Sequence, residues 1–189
     1  MFNMKISDII LKKIAEIKKR KPPQKFDWND SLYEDIQFLA IDERGQLGEE
    51  IAIAILKDFK CKINYDASIT EAIKGWDFIS NGLKIEVKLA TITIGTGLFQ
   101  HENLHSQRNF DGVLFIDVSP DEIYLTAVCK KDIIWKKLHR RESGVYKCDF
   151  SIKHIQNNSI LKFGKHKTGL VNSAQEFFAV YKWLEENCR

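Results

Sequence analysis

The chain has 189 residues, of which 44% are hydrophobic and 29% charged, and a formal net charge of +3. That balance provides for one sizeable core and excludes a disordered chain, a collagen-like repeat or a coiled coil. No apolar run approaches the roughly 18 residues of a membrane span, so no membrane partner is expected.

Ile6, Ile10, Ile14 and Ile17 recur at helical spacing, which predicts an amphipathic first helix closed by Pro22 and Pro23. Charges interrupt this stretch throughout, so it is not read as a signal peptide. Ser31 followed by Glu34 is a capping-box pattern that predicts a second helix over LYEDIQFLAI. A third helix is expected from Gly45 to Phe59, with Ala52, Ile53, Leu56 and Phe59 mostly on one face. Trp76–Ser80 and Leu83–Ala90 then flank Asn81-Gly82. Asn-Gly between two such runs predicts a hairpin, because both central residues of a type I′ turn need positive φ. Ile92–Gln100 is expected to continue as a strand bent at Gly95 and Gly97, and the polar Asn103–Asn109 segment as a short crossover helix. Gly112–Val118 is almost wholly apolar and predicts a strand buried on both faces. Ile123–Val128 follows as a strand and Asp132–Leu138 as a short helix. Residues 141–170 look irregular and basic. A last helix, about 173–187, opens on Ser173 with Glu176 and buries Phe177, Val180, Tyr181 and Leu184. The chain reads as one domain over 1–189, with a core at about 31–138 and the basic 139–170 stretch and final helix as additions. Helices, then a hairpin-led mixed sheet, then helices again define an α/β architecture.

Charge is segregated along the chain. Residues 1–25 hold eight Lys/Arg against two acids, residues 27–50 eight acids against one Arg, and residues 130–167 eleven Lys/Arg against three acids. Basic zones flanking an acidic centre suit a polyanion held around a metal site. Solvated helix faces are the plainer explanation of the same pattern. Cys61, Cys129, Cys148 and Cys188 are scattered without a CxxC pair, so neither a disulfide framework nor a zinc site is expected, and a cytoplasmic location is.

The chemistry concentrates in Gly75 to Lys88. Strand side chains alternate between faces, so Glu86 and Lys88 share one face while Ile85, Val87 and Leu89 go to the core. Counting back from the Asn-Gly turn places Asp77 across from Glu86. Two carboxylates roughly 5 Å apart at Cβ destabilise a strand pair unless a cation sits between them. Mg²⁺ suits that role, since it takes oxygen ligands from one or two carboxylates and leaves room for water and a phosphate. Lys88 stands beside the pair, placed to orient water or offset charge on the phosphate.

Asp77, then Glu86-x-Lys88 after a hairpin, resembles the PD-(D/E)XK nuclease superfamily, with Trp76 where the family has a loosely kept Pro. The resemblance implies a restriction-endonuclease-like mixed sheet flanked by helices, an α-β-β-β-α-β core. It implies that Asp77 and Glu86 bind the catalytic Mg²⁺, for which Mn²⁺ substitutes, with the Val87 carbonyl as a further ligand and Lys88 assisting the water. Many members carry an acid on the preceding helix, and Gly45-Gln-Leu-Gly-Glu-Glu-Ile-Ala looks like that element. Glu49 and Glu50 compete for the role, and Glu49 is favoured because it shares its face with Ala52, Ile53 and Leu56.

On this reading the protein is a Mg²⁺-dependent DNA endonuclease, most like a type II restriction enzyme acting as a homodimer on double-stranded DNA. A structure-specific repair nuclease or junction resolvase is the neighbouring alternative, and a non-catalytic DNA-binding protein on the same scaffold the more distant one. The donor-rich segment holding Gln100, His101, Asn103, His105, Gln107 and Arg108 is expected to read base edges, or to be only a polar loop. His101 and His105 lack a third ligand for zinc. Arg140, Arg141, Lys165 and Lys167 are candidate phosphate contacts, or solvated surface.

Overall fold

A computed structural model describes residues 28–65 and 75–189. The expected first helix over Ile6–Ile17 lies outside these residues. Among the described residues the chain is mixed α/β with a mostly antiparallel sheet, and no helix is long and apolar enough to cross a membrane.

The larger sheet has six strands in the order β1-β2-β3-β5-β6-β9. These are β1 (Ile63–Asn64), β2 (Phe78–Ser80), β3 (Leu83–Thr91), β5 (Gly112–Val118), β6 (Ile123–Cys129) and β9 (His166–Leu170). All neighbours are antiparallel except β3 and β5, which run parallel with Ile85 beside Gly112 and Ala90 beside Asp117. A smaller sheet joins β4 (Leu98–Leu104), β8 (Tyr146–Ser151) and β7 (His139–Arg140). The helices are α1 (Ile41–Asp58), α2 (Ile152–Gln156) and α3 (Ala174–Asn187).

The hairpin forms in the expected register. Phe78 pairs with Ile85 and Ser80 with Leu83, and Asn81 and Gly82 take φ of 49° and 90°. Glu185 on α3 clasps the turn by accepting from Asn81 Nδ2 at 3.0 Å, with Lys182 and Arg189 on the same carboxylate at 2.5 and 3.0 Å. These cations hold its carboxyl below its ordinary range, Lys182 contributing most.

Both faces of β3 are covered. On the Val87 and Leu89 face lies α1. A Cβ on Gly48 would stand 3.0 Å from Leu89 Cβ and 3.3 Å from Val87 Cγ1, so a glycine there lets the helix ride close to the strand. On the same face α3 packs Leu184 over Gly112. Its stripe of Phe177, Val180, Tyr181 and Leu184 is buried as expected, at about 1.5–3 kcal/mol per large apolar side chain. The helix opens on Ser173, whose hydroxyl accepts from Glu176 N–H at 3.3 Å. The opposite face meets the smaller sheet through an aromatic layer. Phe115 packs edge-on to His101 and Phe150, with ring centroids 4.6 and 5.6 Å away.

Several expectations fail. LYEDIQFLAI holds only a 3₁₀ turn at Glu34–Phe38, and the α-helix starts at Ile41, before Gly45. The Ser31 hydroxyl does not cap it; it accepts from Tyr33 N–H and donates to the Pro120 carbonyl at 2.6 Å. No helix forms over 103–109, where β4 ends at Leu104 and turns follow. The crossover between the parallel strands is therefore a strand of a second sheet, so the second helix of the α-β-β-β-α-β order is absent from this position. Asp132–Leu138 holds only part of two 3₁₀ turns, Lys130–Asp132 and Trp135–Lys137. The 141–170 stretch, expected irregular, contains β8, α2 and β9. Finally, Cys129 and Cys188 are joined by a disulfide, while Cys61 and Cys148 are free.

Candidate functional site

Where β2 begins, the ladder is completed by a side chain. Asp77 N–H donates to the Ile85 carbonyl at 2.9 Å, and Asp77 Oδ2 accepts from Val87 N–H at 2.6 Å. The carboxylate thus stands where a strand carbonyl would, which fixes Asp77 beside Glu86. Glu86 is wholly buried, and Lys88 Nζ lies 2.6 Å from its Oε1. Arg108 Nη1, from the turns after β4, approaches the same oxygen at 3.6 Å. Burial of a carboxylate is tolerable only with such partners, since an unpaired buried charge is strongly destabilising.

A cleft of about 730 Å³ opens between the N-terminal half of α1, the start of β2, the middle of β3 and β4. Asp77, Lys88 and Glu49 all line it. Glu86 does not, and meets the cleft-lining Lys88 through its ion pair. Glu50, the competitor of Glu49, is exposed and accepts from Gln46 Nε2 at 2.8 Å. Tyr65 also lines the cleft and hydrogen-bonds Glu49. Burial and the nearby carboxylates, Glu49 foremost, raise the Tyr65 phenol above its ordinary value. Sequence reading missed Tyr65, because a single aromatic after a short edge strand carries no pattern.

The donor chemistry fits a hard divalent cation. Mg²⁺ requires only one or two protein carboxylates, the remaining ligands being water and phosphate, and neighbouring Asp77 and Glu86 supply two. As the side chains stand, no three His, Cys, Asp or Glu among the described residues form a ready-made metal cage. Lys88 and Arg108 hold the negative charge of Glu86 instead.

The expected DNA contacts divide. Gln100 and Asn103 line the cleft, Asn103 exposed. Gln107 is exposed and His105 half-buried. His101 also borders the cleft, with almost none of its surface open. It is 2% exposed, and its Nε2 lies 2.7 Å from Asp117 Oδ1 in the layer between the two sheets. Burial pushes the Asp117 carboxyl up, and His101 offsets part of that rise. Arg140 is exposed on β7, and Arg141 pairs with Glu102. Lys165 and Lys167 are exposed at the β9 edge, three strands from β3, so the structure does not bring them to the cleft. The free thiol of Cys148 is buried, which pushes it up to about 12 and removes it from nucleophilic chemistry.

No known family profile matches the chain, and neither does any curated protein. Among solved structures it is similar to a bacterial homing endonuclease, I-Ssp6803I, at 12% identity and a TM-score of 0.40, over 78% of this chain and 95% of that one. A likeness of that size carries no argument about activity.

Proposed function

We propose that the protein is a Mg²⁺-dependent endonuclease that hydrolyses phosphodiester bonds in double-stranded DNA, with site-specific restriction as its role. The observation that carries the reading is the in-register hairpin. It sets Asp77 beside Glu86, with Lys88 next on the same face, and Asp77 and Lys88 line a cleft together with Glu49. Asp77 and Glu86 would hold the ion, with the Val87 carbonyl as a further oxygen donor. When bound there, Mg²⁺ would supply charge neutralisation at the phosphate and make water easier to ionise. Lys88 orients the attacking water in line with phosphorus and offsets the growing charge. Glu49, hydrogen-bonded to Tyr65, lines the same cleft and would hold a second ion or a water of the first. Cutting both strands of a palindrome requires two copies of this site, hence a two-fold homodimer.

A second reading is favoured by one observation. Lys88 and Arg108 already neutralise Glu86, as they would in a DNA-binding scaffold that does no chemistry. Incubation with plasmid and with branched DNA, in Mg²⁺ and in EDTA, separates the cases. Discrete fragments in Mg²⁺ alone support restriction, branch-limited cutting supports junction resolution, and retention without cutting supports the scaffold. Glu86→Ala should lower cleavage by about a hundredfold or more, the scale of losing a group that places the catalytic charge, while DNA retention persists. Cleavage by Glu86→Ala at the parent rate would remove the site assignment.

A further inference from the structure

Four carboxylates and two cations line the cleft, Asp42, Glu49, Asp77 and Glu102 against Arg44 and Lys88. Such a surface repels a phosphate except where a cation faces it. Lys88 already holds Glu86 at 2.6 Å. Arg44, the one base in the acidic stretch 27–50, is placed differently. It is half-buried, its Nη1 donates to the Thr91 hydroxyl at 3.2 Å, and it has no carboxylate partner among the described residues.

The position of Arg44 follows from the seat of α1. Residues four apart share a helix face, so Arg44 stands one turn before Gly48, which meets Val87 and Leu89. Four residues of helix advance about 6 Å, and two residues of strand about 7 Å. One turn back along α1 therefore leads from Leu89 to Thr91, on the same face of β3. The guanidinium is held at that end of the strand by the Thr91 hydroxyl. Lys88 Nζ instead reaches back to Glu86, five residues and about 16 Å along β3 from Thr91. The two cations thus face different parts of one cleft, too far apart to share a phosphate.

We infer that Arg44 binds a phosphate of the DNA backbone that flanks the reacting one, and so fixes how the strand lies across the cleft. The inference rests on the proposed nuclease reading, in which Lys88 stands at the reacting phosphate. A guanidinium carries five N–H donors in a planar fork, and the Thr91 hydroxyl takes up one of them. That contact orients the fork and stays in place when a phosphate arrives, so no ion pair has to break. A phosphate accepts two parallel bonds from such a fork, and these are stronger than bonds between neutral groups. A half-buried guanidinium without an anion has lost part of its hydration and gains most from such a partner. Because the flanking phosphate is held alike before and during the reaction, Arg44 contributes to binding and not to the chemical step.

Fluorescence anisotropy of a labelled mixed-sequence duplex with the full chain in EDTA, over a series of NaCl concentrations, tests this without cleavage. Arg44→Gln should weaken binding by about tenfold at low salt and flatten the slope of log affinity against log salt by about 0.9, the share of one phosphate. Arg44→Lys should keep the slope but bind less tightly, since it keeps the charge and loses the fork. Thr91→Val removes only the hydroxyl and should keep the parent slope. If Arg44 merely ties α1 to β3, Thr91→Val and Arg44→Gln instead weaken binding alike and neither changes the slope. In Mg²⁺, the loss of cleavage by Arg44→Gln should fall on KM, with kcat within about threefold of the parent. The inference is overturned if folded Arg44→Gln keeps the parent's salt slope, or if its kcat falls as far as its affinity, which would place Arg44 at the reacting phosphate. A parent that cuts DNA, with Arg44→Gln binding at the parent slope, rejects only the role of Arg44. A parent that retains duplex but cuts none in Mg²⁺ overturns the nuclease reading, and the slope still decides whether Arg44 holds a phosphate.

Discussion

Three residues and a turn were legible in the sequence because their relation is local. Asp77, Glu86 and Lys88 lie within a span of twelve residues, and the Asn81-Gly82 turn dictates their register by backbone geometry alone. The setting of His101 was not legible because its partner is not local. Asp117 reaches it across two sheets, and a polar side chain in a run of donors looks the same in sequence whether it faces DNA or a buried acid. The structure makes a distinct prediction for it. His101→Ala should cost about 2–5 kcal/mol, from the cavity left against Phe115 and Phe150 and the unpartnered buried acid. The pH dependence has a definite sign. Burial alone then holds Asp117 protonated in the fold, whereas the unfolded chain releases that proton. Fewer protons bound in the unfolded state means stability falls as pH rises above the ordinary carboxylate range, by about 1.4 kcal/mol per pH unit until the raised value is passed. Denaturant melts at a series of pH values would show the loss, and a variant whose deficit shrinks with rising pH would refute it.

Among the elements, those with strong periodicity were the readable ones. The stripe of α3 and the continuous apolar run of β5 both lie where their patterns place them. The 103–109 segment defeated the same reasoning. Its polarity signals exposure, and exposure does not distinguish a helix from an edge strand and turn. Polar 141–170 failed likewise, since β8 and β9 are half-buried strands whose partners, β4 and β6, lie far away in the chain. The seat of α1 on β3 depends on one glycine. Gly48→Ala should gain roughly 1 kcal/mol of helix propensity but force a Cβ contact of 3.0 Å on Leu89, for which overpacking costs about 1–3 kcal/mol. We expect a net lower melting temperature. Because Glu49 is the next residue, a loss of DNA cleavage larger than the loss of folded protein should accompany it. A stabilised, fully active Gly48→Ala would mean that the helix does not need this approach.

For the whole molecule, the unexpected tie is Cys129–Cys188, which joins the end of β6 to the residue after α3 across 59 positions. Closing a loop of that length restricts the unfolded chain by about 4 kcal/mol in the chain-entropy picture, so reduction should lower the melting temperature by roughly 10 °C in a protein of this size. Calorimetry with and without reductant would check it, and an unchanged melting temperature would show that packing of α3 suffices by itself. Nothing in the spacing of four single cysteines announces this pair, because disulfide geometry depends on distances in space.

The amino-acid sequence alone determined the hairpin, the side of β3 that bears Glu86 and Lys88, and the helix that carries Glu49, since turn chemistry and side-chain periodicity act over a few residues. Only the tertiary structure decided that Glu86 is buried in ion pairs with Lys88 and Arg108, that Tyr65 joins the cleft, and that His101 is an interior residue. Those outcomes depend on which distant segments come to cover each face of the sheet, and that is set by the packing of the whole chain.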